Sequence, residues 1–125
     1  MKTILIVEDN ALNMELTSQL LEDDYTLLKA TDGEAGIAMA EEHRPDLILM
    51  DLSLPKVDGW EAMRRLRAKW KTCRIPIIAL SAHASRGAIA LAKEAGCDDY
   101  LTKPVDEELL LERIALLIGA PGETL

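Results

Sequence analysis

Short apolar runs alternate along the chain with stretches whose apolar residues recur at helical spacing. Ile4-Leu5-Ile6-Val7, Leu47-Ile48-Leu49-Met50 and Ile75-Pro76-Ile77-Ile78-Ala79-Leu80 are apolar on both faces, as parallel strands covered by helices on each side require. Thr26-Leu27-Leu28-Lys29-Ala30 and the short Tyr100-Leu101 complete five strands. Between them Leu12, Leu16 and Leu20 mark one amphipathic helix, Ala35, Ala38, Met39 and Glu42 a second, and Trp60, Met63, Leu66 and Trp70 a third. A fourth is expected from about Ser85 to Ala95, with Ala88, Leu91, Ala92 and Ala95 inward and Gly96 as its C-terminal cap. A fifth, from Asp106 to about Ile118, turns Leu110, Ile114 and Leu117 to one face and opens with Asp106-Glu107-Glu108 at its positive dipole end. Strict alternation predicts an α/β, doubly wound parallel sheet with right-handed crossovers.

At 125 residues, 49% of them hydrophobic, the chain has the size and apolar content of one domain with its own core. Residues 1–120 are expected to form it, with 121–125 a short tail. Phenylalanine is absent and aromatics are 3%, so the core is aliphatic and stacking surfaces for bases are scarce. A net charge of −8 disfavours direct contact with nucleic acid. No apolar stretch is long enough to span a membrane, and no signal peptide precedes the first strand. Cys73 and Cys97 form neither a CxxC pair nor a metal cluster, and free thiols in a reducing cytoplasm are the expectation.

In a doubly wound sheet, ligands bind outside the carboxyl ends of the strands. There the chain places Glu8 and Asp9 after the first strand, Asp51 after the third, Ser81 after the fourth, and Lys103-Pro104 after the fifth. Singly, each has an ordinary structural reading; Asp9 or Asn10, for instance, suits the N-cap of the first helix. Together, three carboxylates, a hydroxyl and an ammonium converge on one edge. Clustered carboxylates repel unless a cation lies among them, and Mg²⁺ takes oxygen ligands from carboxylates together with phosphate. Lys103 offers a point charge to an anion and Ser81 a donor to a further phosphate oxygen. The set describes a phosphoryl-transfer site with Asp51 as the candidate nucleophile.

Ile6-Val7-Glu8-Asp9-Asn10, Pro45-Asp46-Leu47-Ile48-Leu49-Met50-Asp51-Leu52-Ser53-Leu54-Pro55, Asp58-Gly59, Pro76-Ile77-Ile78-Ala79-Leu80-Ser81-Ala82 and Gly96-Cys97-Asp98-Asp99-Tyr100-Leu101-Thr102-Lys103-Pro104 follow in order. Over about residues 3 to 118 the chain resembles the receiver domain of two-component response regulators. The resemblance implies a flavodoxin-like (βα)5 fold with strand order 2-1-3-4-5, and a stand-alone receiver. It implies that Asp51 accepts a phosphoryl group from the phosphohistidine of a histidine kinase or histidine phosphotransfer protein. Asp9 would bind Mg²⁺ directly, Glu8 through water, and Ser53 through its backbone carbonyl. Lys103 would pair with the phosphoryl group, and its bond to Pro104 would be cis. Ser81 and Tyr100 would form the switch that reshapes the fourth helix, fifth strand and fifth helix.

A cytoplasmic switch catalysing only its own phosphorylation and dephosphorylation is therefore expected, with a downstream protein target the sequence does not name. Ser53 and His83 occupy positions that in the family tune access of water, and His43 is expected to end the second helix. Asp98, Asp99 and Arg113 match part of a family dimerisation set, but Ile89 and Ala120 replace other members, which suits a monomer or a weak phosphorylation-dependent dimer. Trp60 and Trp70 are expected in the core, and Arg64, Arg65, Arg67, Lys69 and Lys71 on a solvated face. A phosphorylation-independent pseudo-receiver is the alternative, although loss of Asp51 or Lys103 would be its mark. A phosphatase using an aspartyl intermediate is disfavoured because Ser53 stands where haloacid-dehalogenase-type enzymes carry a second aspartate.

Overall fold

The computed structural model describes residues 1–54 and 57–120. Pro55 of the quoted motif and the expected 121–125 tail lie outside the described residues. Among the described residues ten elements alternate: β1 (Thr3–Val7), α1 (Ala11–Leu21), β2 (Thr26–Ala30), α2 (Gly33–His43), β3 (Leu47–Asp51), α3 (Gly59–Ala68), β4 (Ile77–Ser81), α4 (Arg86–Ala95), β5 (Asp99–Thr102) and α5 (Glu107–Ile118). All strand pairs are parallel, in the order β2-β1-β3-β4-β5.

Successive residues of a strand point to opposite faces, so the sheet divides the core into two layers. Leu5, Val7, Ile48, Met50, Ile77 and Ala79 pack with buried residues of α2, α3 and α4. Ile4, Ile6, Leu47, Leu49, Ile78 and Leu80 pack with Met14 and Leu21 of α1 and Leu110, Ile114 and Ile118 of α5. Each helix opens on a polar cap: the side chains of Asn10, Asp32, Asp58, Ser85 and Asp106 accept from backbone N–H groups three residues on. Asn10, rather than Asp9, takes the first of these positions. Gly96, at φ 126, caps α4, and a β-carbon there would meet Arg67 Cγ at 2.6 Å.

Three of the expected helix faces are rotated. In α1, Leu12 and Leu16 are 63% and 56% exposed, while Met14, Ser18 and Leu21 are buried. In α2, Ala38 and Glu42 are exposed and the buried face is Gly33, Gly36, Ile37 and Ala40. In α4, Leu91 is exposed and Ala92 and Ala95 alone are buried. The common cause is close approach: where small residues face the sheet the backbone comes near it, and a count of large apolar residues gives them no weight. A β-carbon on Gly36 would lie 2.9 Å from a Val7 methyl, and the Ser18 hydroxyl is satisfied by donating to Met14 O at 2.6 Å.

The α3 stripe holds through Met63 and Leu66, but Trp70 lies outside the core. Lys69 is already extended after the helix ends, so helical spacing no longer carries to residue 70. β4 begins at Ile77 rather than Ile75, because Ile75 N–H closes a turn to Thr72 O and Pro76 has no N–H to give. Arg67 is not solvated. Its guanidinium donates to Gly96 O (2.9 Å), Cys73 O (3.1 Å), Ile75 O (2.6 Å) and Asp98 Oδ2 (2.8 Å). Arg64 and Arg65 pair with Glu61, and Lys69 with Glu41. Both cysteines are free, Cys97 buried and Cys73 half-buried.

Candidate phosphoryl-transfer site

Parallel register brings the strand ends together. Val7 pairs with Met50, Asp51 with Leu80 and Ser81 with Thr102, so Glu8, Asp51, Ser81 and Lys103 fall on one edge. Asp51 and Ser81 are the last residues of their strands rather than the first beyond them. Gly59, opening α3, sits against the end of β3, where a β-carbon would lie 2.3 Å from Asp51 O and 2.5 Å from Leu52 Cα.

Asp51 is 2% exposed and Glu8 5%, whereas Asp9 and Ser53 are exposed. Carboxylate oxygens of Glu8, Asp9 and Asp51 all lie within 4.8 Å of one another. Lys103 Nζ stands 3.0 Å from Asp51 Oδ2 and 3.3 Å from Glu8 Oε1, and the Lys103–Pro104 bond is cis. Ser53 N–H donates to Asp51 Oδ1 at 2.9 Å and Asn10 N–H to Glu8 Oε2 at 3.3 Å.

One ammonium does not neutralise three carboxylates. Burial, then the hydrogen bond and charge of Asp51, push Glu8 up to about 7. Burial also works against ionised Asp51, but the hydrogen bonds from Glu8, Ser53 N–H and Lys103 outweigh it and hold Asp51 below the usual carboxylate range. Lys103 is likewise disfavoured by burial, yet Asp51 and Glu8 raise it above an ordinary lysine. The cluster thus holds more negative charge than its surroundings accommodate, in an all-oxygen donor set. That chemistry fits a hard divalent cation such as Mg²⁺, held by Glu8, Asp9 and Asp51.

On the rim, Ser81 Oγ accepts His83 N–H at 3.1 Å and the hydroxyl of half-buried Tyr100 donates to His83 O at 2.5 Å. Ser81 and Tyr100 therefore hold the N–H and the carbonyl of one residue, His83, in the β4–α4 loop. The sequence reading missed an apolar groove of about 460 Å³ beside Lys103, lined by Leu16, Leu20, Leu80, Val105 and Leu110 between α1 and α5. Its signal in the sequence is Leu16 and Leu20, whose helical spacing equally fits a core face.

Residues 4–115 match the family model of the response regulator receiver domain. The chain belongs to that family. The receiver is 39% identical over 119 residues to the polar-differentiation response regulator DivK of Brucella anthropi, covering 94% of this chain and 97% of that protein. Its fold superposes with a TM-score of 0.87, at 38% identity, on the receiver domain of sensor histidine kinase PA1611 from Pseudomonas aeruginosa PAO1, covering 95% and 98% of the two chains. That structure holds a magnesium ion coordinated in its active site cleft. A TM-score of 0.86 at 30% identity relates it to a chain of the Saccharomyces cerevisiae complex between the histidine phosphotransfer protein Ypd1 and the receiver domain of Ssk1, covering 94% and 88%. The receiver has the flavodoxin-like CheY architecture and belongs to two-component signalling, whose receivers meet histidine kinases or phosphotransfer proteins. Among the described residues no helix is long and apolar enough to cross a membrane.

Proposed function

We propose that the receiver takes a phosphoryl group onto Asp51 from a phosphohistidine and signals by changing its protein contacts. The observation that carries this reading is a nearly buried aspartate held ionised by Lys103 and Ser53 N–H within a cluster of three carboxylates. As the P–N bond of the donor breaks, an Asp51 oxygen forms the new P–O bond and the imidazole takes up a proton. Mg²⁺ bound by Glu8, Asp9 and Asp51, with the Ser53 carbonyl, supplies charge neutralisation for the transferring group. Lys103 holds its ammonium where a phosphoryl oxygen would form an ion pair, and the Ser81 hydroxyl is one residue beyond the register partner of Asp51. Exposed Ser53, whose N–H meets the Asp51 carboxylate, and exposed His83 at the rim govern entry of hydrolytic water. No turnover of a diffusible substrate is part of this reading, and a cytoplasmic setting is.

Turning the Ser81 hydroxyl toward a phosphoryl group on Asp51 draws its oxygen away from His83 N–H, which it accepts here. That leaves His83 tied by Tyr100, which biases the loop and α4 between two arrangements. The groove beside Lys103, with Leu16 exposed in its lining, gives the phosphodonor protein an apolar seat close to the carboxylate cluster, since Glu8 lines it too. Asp98 is committed to Arg67 and to Ile77 N–H, which supports a receiver that is monomeric or dimerises weakly. Phosphorylation-independent binding alone has no support in a site where Asp51 and Lys103 are both present and paired.

Intact-mass spectrometry after incubation with acetyl phosphate tests the reading. A gain of one phosphoryl group in Mg²⁺, absent in EDTA and in Asp51→Asn, is expected; no gain from acetyl phosphate or from a panel of phosphorylated histidine proteins would overturn it. Leu16→Glu should slow transfer from the protein donor while leaving labelling by acetyl phosphate unchanged.

A further inference from the structure

At the end of the sheet where the strands begin, the C-termini of α2 and α3 meet, tied by the ion pair of Lys69 with Glu41. Just beyond, Trp70 is 76% exposed. The Arg44 guanidinium lies 5.0 Å from its ring centroid and the Lys71 ammonium 5.7 Å. Arg44 is held in the left-handed region at φ 44, ψ 66, the one non-glycine residue with positive φ among the described residues. Glycine or asparagine is favoured at such a cap, and the following Pro45 disfavours helical backbone before it. The chain instead keeps there a cation stacked on an exposed indole. Arg44, Lys71 and, in the turn after α3, Arg74 are exposed and have no ion-pair partner among the described residues.

This is unpaired positive charge in a chain of net charge −8. It faces away from the carboxylate cluster, and nothing in phosphoryl transfer uses it. A guanidinium lying on a ring keeps its N–H edge free for the fork of a carboxylate. The overall negative field opposes polyanions such as RNA or an anionic membrane, and opposes a second copy of the chain, while a short segment with a few carboxylates feels mainly the local charge.

We propose that Arg44, Trp70 and Lys71 form a docking surface for an acidic segment of a partner protein. Its carboxylates bind the two cations, and an apolar side chain lies along the exposed indole. The patch is at the opposite end of the sheet from Asp51, so docking tethers the receiver whatever its phosphorylation state.

The test is side-chain NMR of the two tryptophan indoles during titration with a capped glutamate-rich peptide carrying leucine. The Trp70 indole signal should shift saturably, with Trp60 as the internal control, and the affinity should fall as salt is raised. Arg44→Gly with Lys71→Ala should weaken binding about tenfold or more, while Asp51→Asn and acetyl phosphate should leave it unchanged. The double variant is expected to fold, since glycine suits the backbone at position 44, and Mg²⁺-dependent phosphorylation checks this. No shift of Trp70, or an equal affinity in the double variant, would overturn the proposal. So would binding of polyuridylate RNA or phosphatidylserine vesicles at these residues in preference to the peptide, or self-association through Trp70 in sedimentation.

Discussion

Lys103 and Arg67 lie at opposite ends of β5 and are comparably buried, with side chains 25% and 22% exposed. Arg67 divides its donors among three backbone carbonyls and Asp98, every bond between 2.6 and 3.1 Å. Lys103 faces an excess of carboxylates, one of them raised to about 7. The first is a completed hydrogen-bond network that fixes the start of β4 and β5 and the end of α4. The second is incomplete until a cation, and then a phosphoryl group, arrives. In this fold, satisfied charge holds architecture, and charge left in conflict marks chemistry.

The contrast is most directly broken by removing Arg67. Arg67→Ala should cost on the order of 3 kcal/mol in urea unfolding, because three partly buried carbonyls and Asp98 lose a charged donor at once. Arg67→Lys should recover little, since an ammonium cannot reproduce the fork. A loss under about 1 kcal/mol would mean that water replaces the guanidinium and that the network is dispensable.

At the other end the sign reverses. Asp51→Asn in EDTA should stabilise the protein by about 1–2 kcal/mol, because relief of Glu8, pushed up to about 7 by burial and then by Asp51, outweighs the loss of a carboxylate held below its usual range. Added Mg²⁺ at ten times its Kd should stabilise the parent by about 1.4 kcal/mol and the variant far less. Thermal melts with and without Mg²⁺ read both effects, and destabilisation of the metal-free variant would remove the contrast.

Cys97, next to Asp98 in the satisfied region, sharpens it further. Burial, then the Asp98 charge, push its thiol up from 9.0 to about 11. The folded state keeps this proton more tightly than the unfolded one, so the stability it contributes is fully present below pH 9 and is lost as pH rises toward 11. The fall across that window should be smaller in Cys97→Ala, and identical slopes would show that the thiol is not buried against ionisation. The smallest expected effect is at Arg44, where Arg44→Gly should raise stability by less than about 1 kcal/mol by relieving a left-handed backbone.

Much of the site was legible before any coordinates, because Glu8, Asp51, Ser81 and Lys103 are placed by strand endings, and strand endings follow from runs of apolar residues. Helix faces were less legible. Leu12, Leu16 and Leu91 carry the larger hydrophobicity, yet Ser18, Gly36 and Ala92 face the sheet, because backbone proximity selects small residues there. The groove beside Lys103 was hidden by the same misassignment. Arg67 was equally opaque: in sequence it is one cation among five, and its acceptors at Cys73, Ile75, Gly96 and Asp98 come together only once β4 and β5 are parallel neighbours.

By itself the sequence determined the alternation of strand and helix, the family, and the set of charged residues brought to one sheet edge, since periodicity and strand ends are local properties. Tertiary structure decided which helix faces meet the sheet, that Trp70 lies outside the core under two cations, and which charges find partners. Those outcomes depend on distances between segments remote along the chain, where close packing, rather than the hydrophobicity of any one residue, selects what fits.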